Sequence, residues 1–193
     1  MVAVDALDAA YALKAGNPGW ILAGERGGEP CPGFDTGNSP TLLREMDVEG
    51  STIVLTTSAG TQGIVRASAR APGVLIACFA NASAAARLVL ESNAGDVGLL
   101  CMGNAGVERA VEDDVFADYF TGLLTGKGPH YKAALREVER SGAGERLLRS
   151  KSPSCPPGDY ALCMELDSVP LVPVVDGTLQ GFPVLHAPHA SIA

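Results

Sequence analysis

The sequence is poor in basic residues and has no long apolar run, and each shortage excludes a class of protein. It contains 14 Lys and Arg against 22 Asp and Glu in 193 residues, a formal net charge of −8. A nucleic-acid-binding surface needs many basic side chains, so we expect no nucleic-acid partner. No run of about 18 apolar residues occurs, so we predict no membrane-spanning helix and no membrane partner. The first residues lack the basic and apolar regions of a signal peptide, so we expect a cytoplasmic protein.

Cysteine is scarce and irregularly spaced. There are five cysteines, and no two of them have a C-x-x-C spacing. The odd number and the spacing argue against a disulfide-bonded scaffold and against a zinc site. Cys78 and Cys101 lie at the ends of apolar runs, so we predict that both are small buried side chains.

The residues that are present predict one α/β domain. Hydrophobic residues make up 47% of the sequence and charged residues 19%, an ordinary balance for a globular protein. Strand and helix patterns alternate along the first two thirds. We predict strands over residues 20–23, 52–57, 74–78 and 97–102, and helices over residues 5–15, 81–92 and 110–124, with a further helix ending at residue 71. Three successive strand–loop–helix units favour a parallel sheet covered by helices on both faces.

The last third of the sequence has a different pattern. Prolines and glycines interrupt it, and shorter elements are predicted between them. We predict helices over residues 130–140 and 145–149, strands over 160–166 and 171–175, and a tight turn at Asp176-Gly177. Residues 180–186 are predicted to form an edge strand, because Pro183 cannot donate a hydrogen bond to a central ladder.

A glycine-rich stretch near the start carries side chains suited to chemistry. Residues 24–28 read Gly-Glu-Arg-Gly-Gly, and residues 33–40 read Gly-Phe-Asp-Thr-Gly-Asn-Ser-Pro. Glycine lets the backbone approach a ligand closely and adopts positive φ, so this composition predicts a loop rather than a helix or regular strand. We interpret it as the loop of an enzyme that handles anions and a metal. The alternative is that Glu25 and Arg26 form a local ion pair that stiffens the loop.

Small polar residues follow three of the predicted strands, at residues 56–61, 79–83 and 102–106. Ligands bind at the carboxyl ends of parallel strands, and free N–H groups at a helix start favour an anion. We therefore expect these loops to bind a small anionic substrate, the candidates being Thr57, Ser58, Gly60, Thr61 and Asn81. The alternative for any single loop is that its polar residues only cap a helix. Three such loops at one edge of a sheet favour a binding site.

An acidic cluster, Glu112-Asp113-Asp114, opens the helix predicted after the third strand. Negative charge in a first helical turn is stabilising by roughly 0.3–1 kcal/mol, which explains the cluster without a ligand. Three adjacent carboxylates also repel one another, and a hard divalent cation relieves that repulsion. Mg²⁺ suits oxygen ligands better than Zn²⁺ does. The residues alone leave both interpretations open.

Several of these stretches together resemble the 2-phosphosulfolactate phosphatase family (the ComB-type proteins). The matching segments are spread in the right order over nearly the whole chain. They read AGERGG (23–28), GFDTGNSP (33–40), TTSAGTQGI (56–64), FANASAAARL (79–88), VEDD (111–114) and DYALCMELDSVPLVPVV (159–175). The pair formed by GERGG and GFDTGNSP is specific enough to make chance agreement improbable.

The resemblance implies a three-layer α/β/α fold with a mainly parallel, mixed sheet in a single domain. It also implies a magnesium-dependent phosphatase that hydrolyses 2-phospho-3-sulfolactate, or a similar small phosphorylated acid, to sulfolactate and phosphate. In archaea that step belongs to coenzyme M biosynthesis. A homo-oligomer is compatible with the sequence.

On this hypothesis the candidate residues take individual roles. Arg26 clamps a phosphate or sulfonate oxygen, and Glu25 orients Arg26 or acts as acid and base. Asn38 and Ser39 offer hydrogen bonds near the phosphoryl group, while residues 57–61 supply backbone N–H groups. The metal-ligand candidates are Asp35, Glu112 and Asp113.

The start of the chain departs from the family pattern. Family members begin with a strand that carries an Asp, an Arg-containing turn, a helix and a second strand, and residues 1–4 correspond to the end of that second strand. We therefore expect an N-terminally incomplete domain. The rival hypothesis is a catalytically impaired, anion-binding paralogue or a truncated, non-enzymatic fragment.

Overall fold

The computed structural model describes residues 1–128 and 130–187. They form an α/β fold with one mixed, six-stranded sheet in the order β3-β2-β4-β1-β6-β5. The strands are β1 (Val2–Ala3), β2 (Ile21–Arg26), β3 (Glu29–Pro30), β4 (Ile53–Thr56), β5 (Val174–Leu179) and β6 (Phe182–His186). Strands β2, β4 and β1 run parallel, and β3, β5 and β6 pair antiparallel to their neighbours. The sheet therefore keeps a parallel centre with antiparallel additions.

Eight helices and one 3₁₀ turn at Phe79–Asn81 accompany the sheet in the part of the chain that is described. The helices are α1 (Leu7–Gly16), α2 (Pro40–Arg44), α3 (Gly60–Ser68), α4 (Ala82–Glu91), α5 (Val111–Thr125), α6 (Tyr131–Glu139), α7 (Gly142–Leu148) and α8 (Gly158–Met164). None of these helices has the length and apolarity that a membrane span requires.

The parallel centre of the sheet packs against α1. Its apolar side chains, which include Leu13 of α1, Leu22 of β2 and Val54 of β4, are almost completely buried in one cluster. A second region of the core lies around α5, where Phe79, Tyr119 and Tyr131 pack with ring centroids 5.5–6.2 Å apart. Burial of Leu22 and Val54 in the cluster with α1 holds β2 and β4 in place, together with the strand ends that carry polar residues.

A glycine brings β2 and β4 together at their carboxyl ends. Gly24 pairs with Thr56 and has a φ of +147°. A Cβ atom at this position would overlap the carbonyl oxygen of Thr56. Only glycine fits here, so the residues that follow Gly24 and Thr56 are held close to one another.

Two of the strands predicted for the first two thirds of the sequence are wrong. Residues 74–78 form only one isolated bridge, between Leu75 and Val174, and residues 97–102 have no regular structure. Leu100 is 62% exposed, and Cys78 and Cys101, predicted to be buried, are exposed. Apolar, β-branched sequence favours a strand, but a strand also needs a partner backbone. Within residues 1–128 and 130–187, residues 97–102 find none.

The C-terminal region also differs from its prediction. Residues 160–166 were predicted as a strand, but α8 covers most of them. The hairpin turn lies at Gln180-Gly181, with φ values of 51° and 86°, and not at Asp176-Gly177, which lies within β5 beside a register shift. Strand β6 is not an edge strand but lies between β5 and β1. Pro183 is tolerated there because β6 meets the very short β1 around Val184 and Leu185, beyond the proline.

Candidate functional site

The carboxyl ends of β2 and β4 carry the densest group of polar contacts near the glycine-rich stretch. Gly24, Glu25 and Arg26 belong to β2, so the predicted loop is in fact a strand end followed by a tight hairpin turn. Gly27 and Gly28 form the turn with φ values of 62° and 85°. Such values explain why two glycines stand there. The turn places Glu25 and Arg26 at the edge of the sheet where α3 begins.

Glu25 is a buried carboxylate that links two chain segments. It is 8% exposed. One oxygen accepts a 2.7 Å hydrogen bond from the backbone N–H of Ser58, and the other accepts from the Ser58 hydroxyl at 2.9 Å and the Gly28 N–H at 2.8 Å. These bonds join the hairpin turn to the loop before α3. Glu25 therefore fixes the position of its neighbour Arg26.

Arg26 is held by oxygens that carry no formal charge. Its guanidinium donates to the hydroxyl of Thr56 at 2.7 Å, to the carbonyl of Glu25 at 2.8 Å and to the carbonyl of Asp5 at 3.4 Å. No carboxylate forms an ion pair with it within the described residues. A guanidinium has five N–H donors. Three are used here, so two N–H groups and a full positive charge remain available to an anion.

The loop before α3 satisfies most of its own hydrogen bonds. The N–H of Thr57 donates to the Thr61 hydroxyl at 2.8 Å, and the N–H of Thr61 donates to the Thr57 hydroxyl at 3.0 Å. The Ser58 N–H is taken by Glu25. The prediction that these N–H groups are free for substrate is therefore wrong for Thr57, Ser58 and Thr61. Gly60 begins α3 beside them.

A cleft of about 410 Å³ opens at this edge of the sheet. Its polar lining consists of Asp5, Arg26, Ser58, Gln62 and Arg66, and its other side is formed by Met102, Ala105, Gly106 and Val107. The loop at residues 102–107 is fastened by Asp113, whose carboxylate accepts a 2.7 Å hydrogen bond from the Gly103 N–H. Met102 packs against α3 so closely that a Cβ at Gly63 would overlap its sulfur. The lining offers two arginines, a serine and an acidic residue to a small polar ligand.

Comparison with known proteins identifies the family. Residues 1–178 match the model of a family described as 2-phosphosulpholactate phosphatase. The chain belongs to the 2-phosphosulfolactate phosphatase family. The match covers the cleft and nearly all of the elements around it, as the sequence motifs predicted.

Curated relatives point to the same family. A probable 2-phosphosulfolactate phosphatase of Thermus thermophilus is 40% identical over 133 residues, which cover 69% of this chain and 52% of the relative. One of Deinococcus radiodurans is 41% identical over 110 residues, 57% of this chain and 45% of the relative. One of Thermoplasma acidophilum is 29% identical over 177 residues, 88% and 73% of the two chains. The chain spans about half the length of the first two relatives.

Several predicted site residues of this family member are not among the residues that line the cleft, and four of them are Asp35, Asn38, Ser39 and Asn81. Asp35 accepts a 2.7 Å hydrogen bond from the Leu22 N–H and a 3.1 Å bond from Lys14. The Leu22 N–H above all, with Lys14 in addition, holds the pKa of Asp35 below its usual range. Asp35 thus supports the beginning of β2, four residues before Arg26.

The other three have surroundings of their own. Ser39 caps α2 and donates to the buried Asp159 at 2.7 Å. Asn81 is buried, and its amide bonds the backbone of Ile76, Cys78 and Leu171. Asn38 is exposed and forms no hydrogen bond in the described ranges. The contacts of Ser39 and Asn81 are those of structural residues.

The predicted metal ligands are not brought together in the described part of this 2-phosphosulfolactate phosphatase family member. Asp35 is bonded to Leu22 and Lys14, and Asp113 to Gly103. Glu112 forms no ion pair there. No group of three or more His, Cys, Asp or Glu side chains is placed to hold a metal within residues 1–128 and 130–187. The described residues therefore do not bring these three carboxylates together as one metal site.

The sequence interpretation missed three polar residues of the cleft. Asp5 follows β1, and Gln62 and Arg66 lie on α3. A signal for the last two was present, because residues four apart share one face of a helix and this helix follows a predicted ligand-binding loop. No comparable signal existed for Asp5, since the pairing of β1 beside β4 is a long-range contact.

Proposed function

We propose that this chain hydrolyses the phosphate ester of a small acid with several negative charges, 2-phospho-3-sulfolactate being the first candidate. The observation that carries the proposal is the guanidinium of Arg26, which lines the cleft with two N–H groups unused. The relatives are named as probable 2-phosphosulfolactate phosphatases, which supports the same reaction. Water attacks the phosphorus atom, the ester P–O bond breaks, and the sulfolactate oxygen leaves with a proton.

The role of Arg26 in this reaction is to neutralise charge on the phosphoryl oxygens. Its three contacts to Thr56, Glu25 and Asp5 fix its orientation before substrate arrives. A preorganised cation needs no rearrangement as charge develops in the transition state, which makes it more effective than a mobile one. Glu25 is a positioning residue in this scheme. Its three hydrogen bonds occupy the carboxylate, so we do not assign it the role of acid or base.

Magnesium enters the proposal as the cofactor that the resemblance implies. The set Asp35, Glu112 and Asp113 does not fit it, for the reason given above. Asp5 fits better, because it is among the residues that line the cleft and its carboxylate forms no ion pair in the described residues. Mg²⁺ usually keeps several waters and takes one or two carboxylates plus phosphate oxygens. Asp5 would then hold the ion, whose chemistry would be to withdraw charge from the phosphate.

The proposal is tested by measuring phosphate release from 2-phospho-3-sulfolactate with Mg²⁺ and with EDTA. Arg26→Ala should lower kcat/KM by about 10²–10³-fold, because a preorganised donor to the transition state is lost. Arg26→Lys should retain part of the activity, since the charge stays but the fork of donors does not. Arg87→Ala, on the exposed face of α4, is the control. An active Arg26→Ala variant would remove Arg26 from the site.

A second candidate function is anion binding without catalysis. It is favoured by one observation, namely that Asp35, Glu112 and Asp113 do not assemble a metal site. In that case the folded protein binds phosphate or a phosphorylated acid, and Arg26→Ala abolishes the binding. Titration calorimetry alongside the phosphate-release assay separates the two functions. If folded wild-type protein binds the acid but releases no phosphate with Mg²⁺, the binding function is correct and the enzymatic one is rejected.

A further inference from the structure

A second arginine lines the same cleft as Arg26. Arg66 lies on α3, one turn after Gln62, and both side chains belong to the lining. Arg66 is exposed, and its guanidinium forms no hydrogen bond and no ion pair within the described residues. In the part of the chain that is described, the only acidic residue among those that line the cleft is Asp5, which follows β1. The cleft therefore presents two guanidinium groups to any ligand that enters it.

The two arginines differ in how they are held. Arg26 is fixed by three oxygen acceptors, whereas Arg66 has a long side chain without a partner. Gln62 shares an acceptor with Arg26, since its amide donates to the same Asp5 carbonyl at 2.7 Å. A fixed cation is suited to the phosphate, where a bond breaks and charge develops. A flexible cation is suited to a part of the substrate that is bound but does not react.

We propose that Arg66 binds the second anionic group of the substrate, a carboxylate or sulfonate, and thereby sets specificity. The inference rests on the proposed function, because it assigns the phosphate to Arg26. It predicts that the cleft selects phosphorylated acids over simple phosphate monoesters. A cation that contacts the acid equally in the ground and transition states contributes to KM rather than to kcat.

The experiment compares two esters that share one carbon skeleton. 2-Phospholactate carries a carboxylate where isopropyl phosphate carries a methyl group, so the ratio of their kcat/KM values measures recognition of the second anion. In Arg66→Ala this ratio should fall roughly tenfold, mainly through KM for 2-phospholactate, as expected for one lost charge-assisted hydrogen bond. Arg66→Lys should restore part of the ratio. Arg70→Ala, which removes an exposed arginine just beyond the same helix, should leave it unchanged.

Two kinetic outcomes would overturn the proposal. One is an unchanged ratio in Arg66→Ala, and the other is an equal loss for both esters, which would make Arg66 a general or structural residue. A direct binding measurement tests the role of Arg66 even if the protein is not an enzyme. If the wild-type protein hydrolyses neither ester, calorimetry with 2-phospholactate and with inorganic phosphate takes over. Arg66→Ala should weaken only the former, and equal affinities in variant and wild type, or no binding by the wild type, would reject the second-anion site.

Discussion

The two sides of the cleft are built in different ways. The strand side, formed by residues 24–28, 56–58 and the start of α3, is bonded throughout: Glu25 and Thr61 are 8% and 1% exposed. The loop side, formed by residues 102–107, has Val107 87% exposed and is attached through Asp113, Met102 and a bridge between Asn104 and Glu108. Segments with few buried contacts open at low free energy. A fixed side can position a reacting group, and a loosely attached side can admit and release a ligand.

The largest expected effect comes from Gly24, on which the strand side depends. In Gly24→Ala the new Cβ would overlap the Thr56 carbonyl oxygen at a φ that L residues rarely adopt. We expect a loss of about 3 kcal/mol or more in the free energy of unfolding, because the backbones of β2 and β4 must separate. Urea denaturation measures it. Gly19→Ala is the control, since nothing lies within 4 Å of that position. Equal midpoints for the two variants would show that the close approach is not needed.

The next largest effect is expected for Glu25→Gln. The amide offers one acceptor oxygen where the carboxylate offers two, and its NH₂ group would face the N–H of Ser58 or Gly28. We expect a loss of about 2–3 kcal/mol in the free energy of unfolding, the scale of hydrogen bonds to a buried charge. Denaturant midpoints test this, with Glu29→Gln on the exposed strand β3 as control. A midpoint that moves no further than the control's would show that Glu25 does not join the two segments.

The strand side could largely be predicted from the sequence. Asp35 shows why other parts of the site could not. Strand β4 and helix α4 follow from local patterns, namely β-branched residues and an asparagine before an apolar stretch. The same local reasoning placed chemistry at Glu25, Arg26 and Ser58, which the structure brings together. Asp35 carries an equally suggestive motif but bonds to Leu22, thirteen residues away. Nothing in the motif distinguishes a carboxylate that binds a ligand from one that accepts a hydrogen bond from the backbone of a strand.

The loop side was predicted only in part. Residues 102–106 were expected near the ligand, and Met102, Ala105 and Gly106 do line the cleft, but the strand expected before them is not formed in the described part of the chain. Residues 97–102 have the composition of a strand, as residues 53–56 do. The difference is that β4 has β2 and β1 beside it, whereas residues 97–102 have no backbone partner in the described ranges. Strand formation depends on such long-range pairing, which a local pattern does not contain.

A smaller effect is expected when the loop side is released. Asp113→Ala removes the acceptor of the Gly103 N–H and one charge from the first turn of α5. We expect a loss of about 1 kcal/mol in stability. Faster hydrogen–deuterium exchange should be confined to residues 103–108. Glu112→Ala is the matched control, because it removes the same charge from the same turn without touching Gly103. Similar exchange in both variants would mean that Asp113 does not fasten the loop.

The smallest effect is expected for Asp35→Asn, at a residue that bonds β2 but does not line the cleft. This effect should depend on pH. The pKa of Asp35 is lowered chiefly by the Leu22 N–H. The ionised form therefore stabilises the fold above the unfolded pKa of about 3.9, and this stabilisation is lost as the pH falls through the lower, folded pKa. Asparagine can still accept the Leu22 hydrogen bond, and the Asp35 side chain is 40% exposed. The loss at neutral pH should therefore be only about 0.5–1 kcal/mol.

Urea midpoints of wild type and Asp35→Asn at pH 7 and pH 3 measure this dependence. The difference in urea midpoint between the two proteins should be smaller at pH 3 than at pH 7. Protonation of Asp35 at low pH removes the negative charge from the wild type, and the substitution has already removed that charge from the variant. Catalysis should be affected little, and the Mg²⁺ concentration for half-maximal phosphate release should stay the same, because Asp35 bonds Leu22 and Lys14 and does not line the cleft. If the variant needed more Mg²⁺ and its loss of stability did not depend on pH, Asp35 would be a metal ligand and not a residue that stabilises β2.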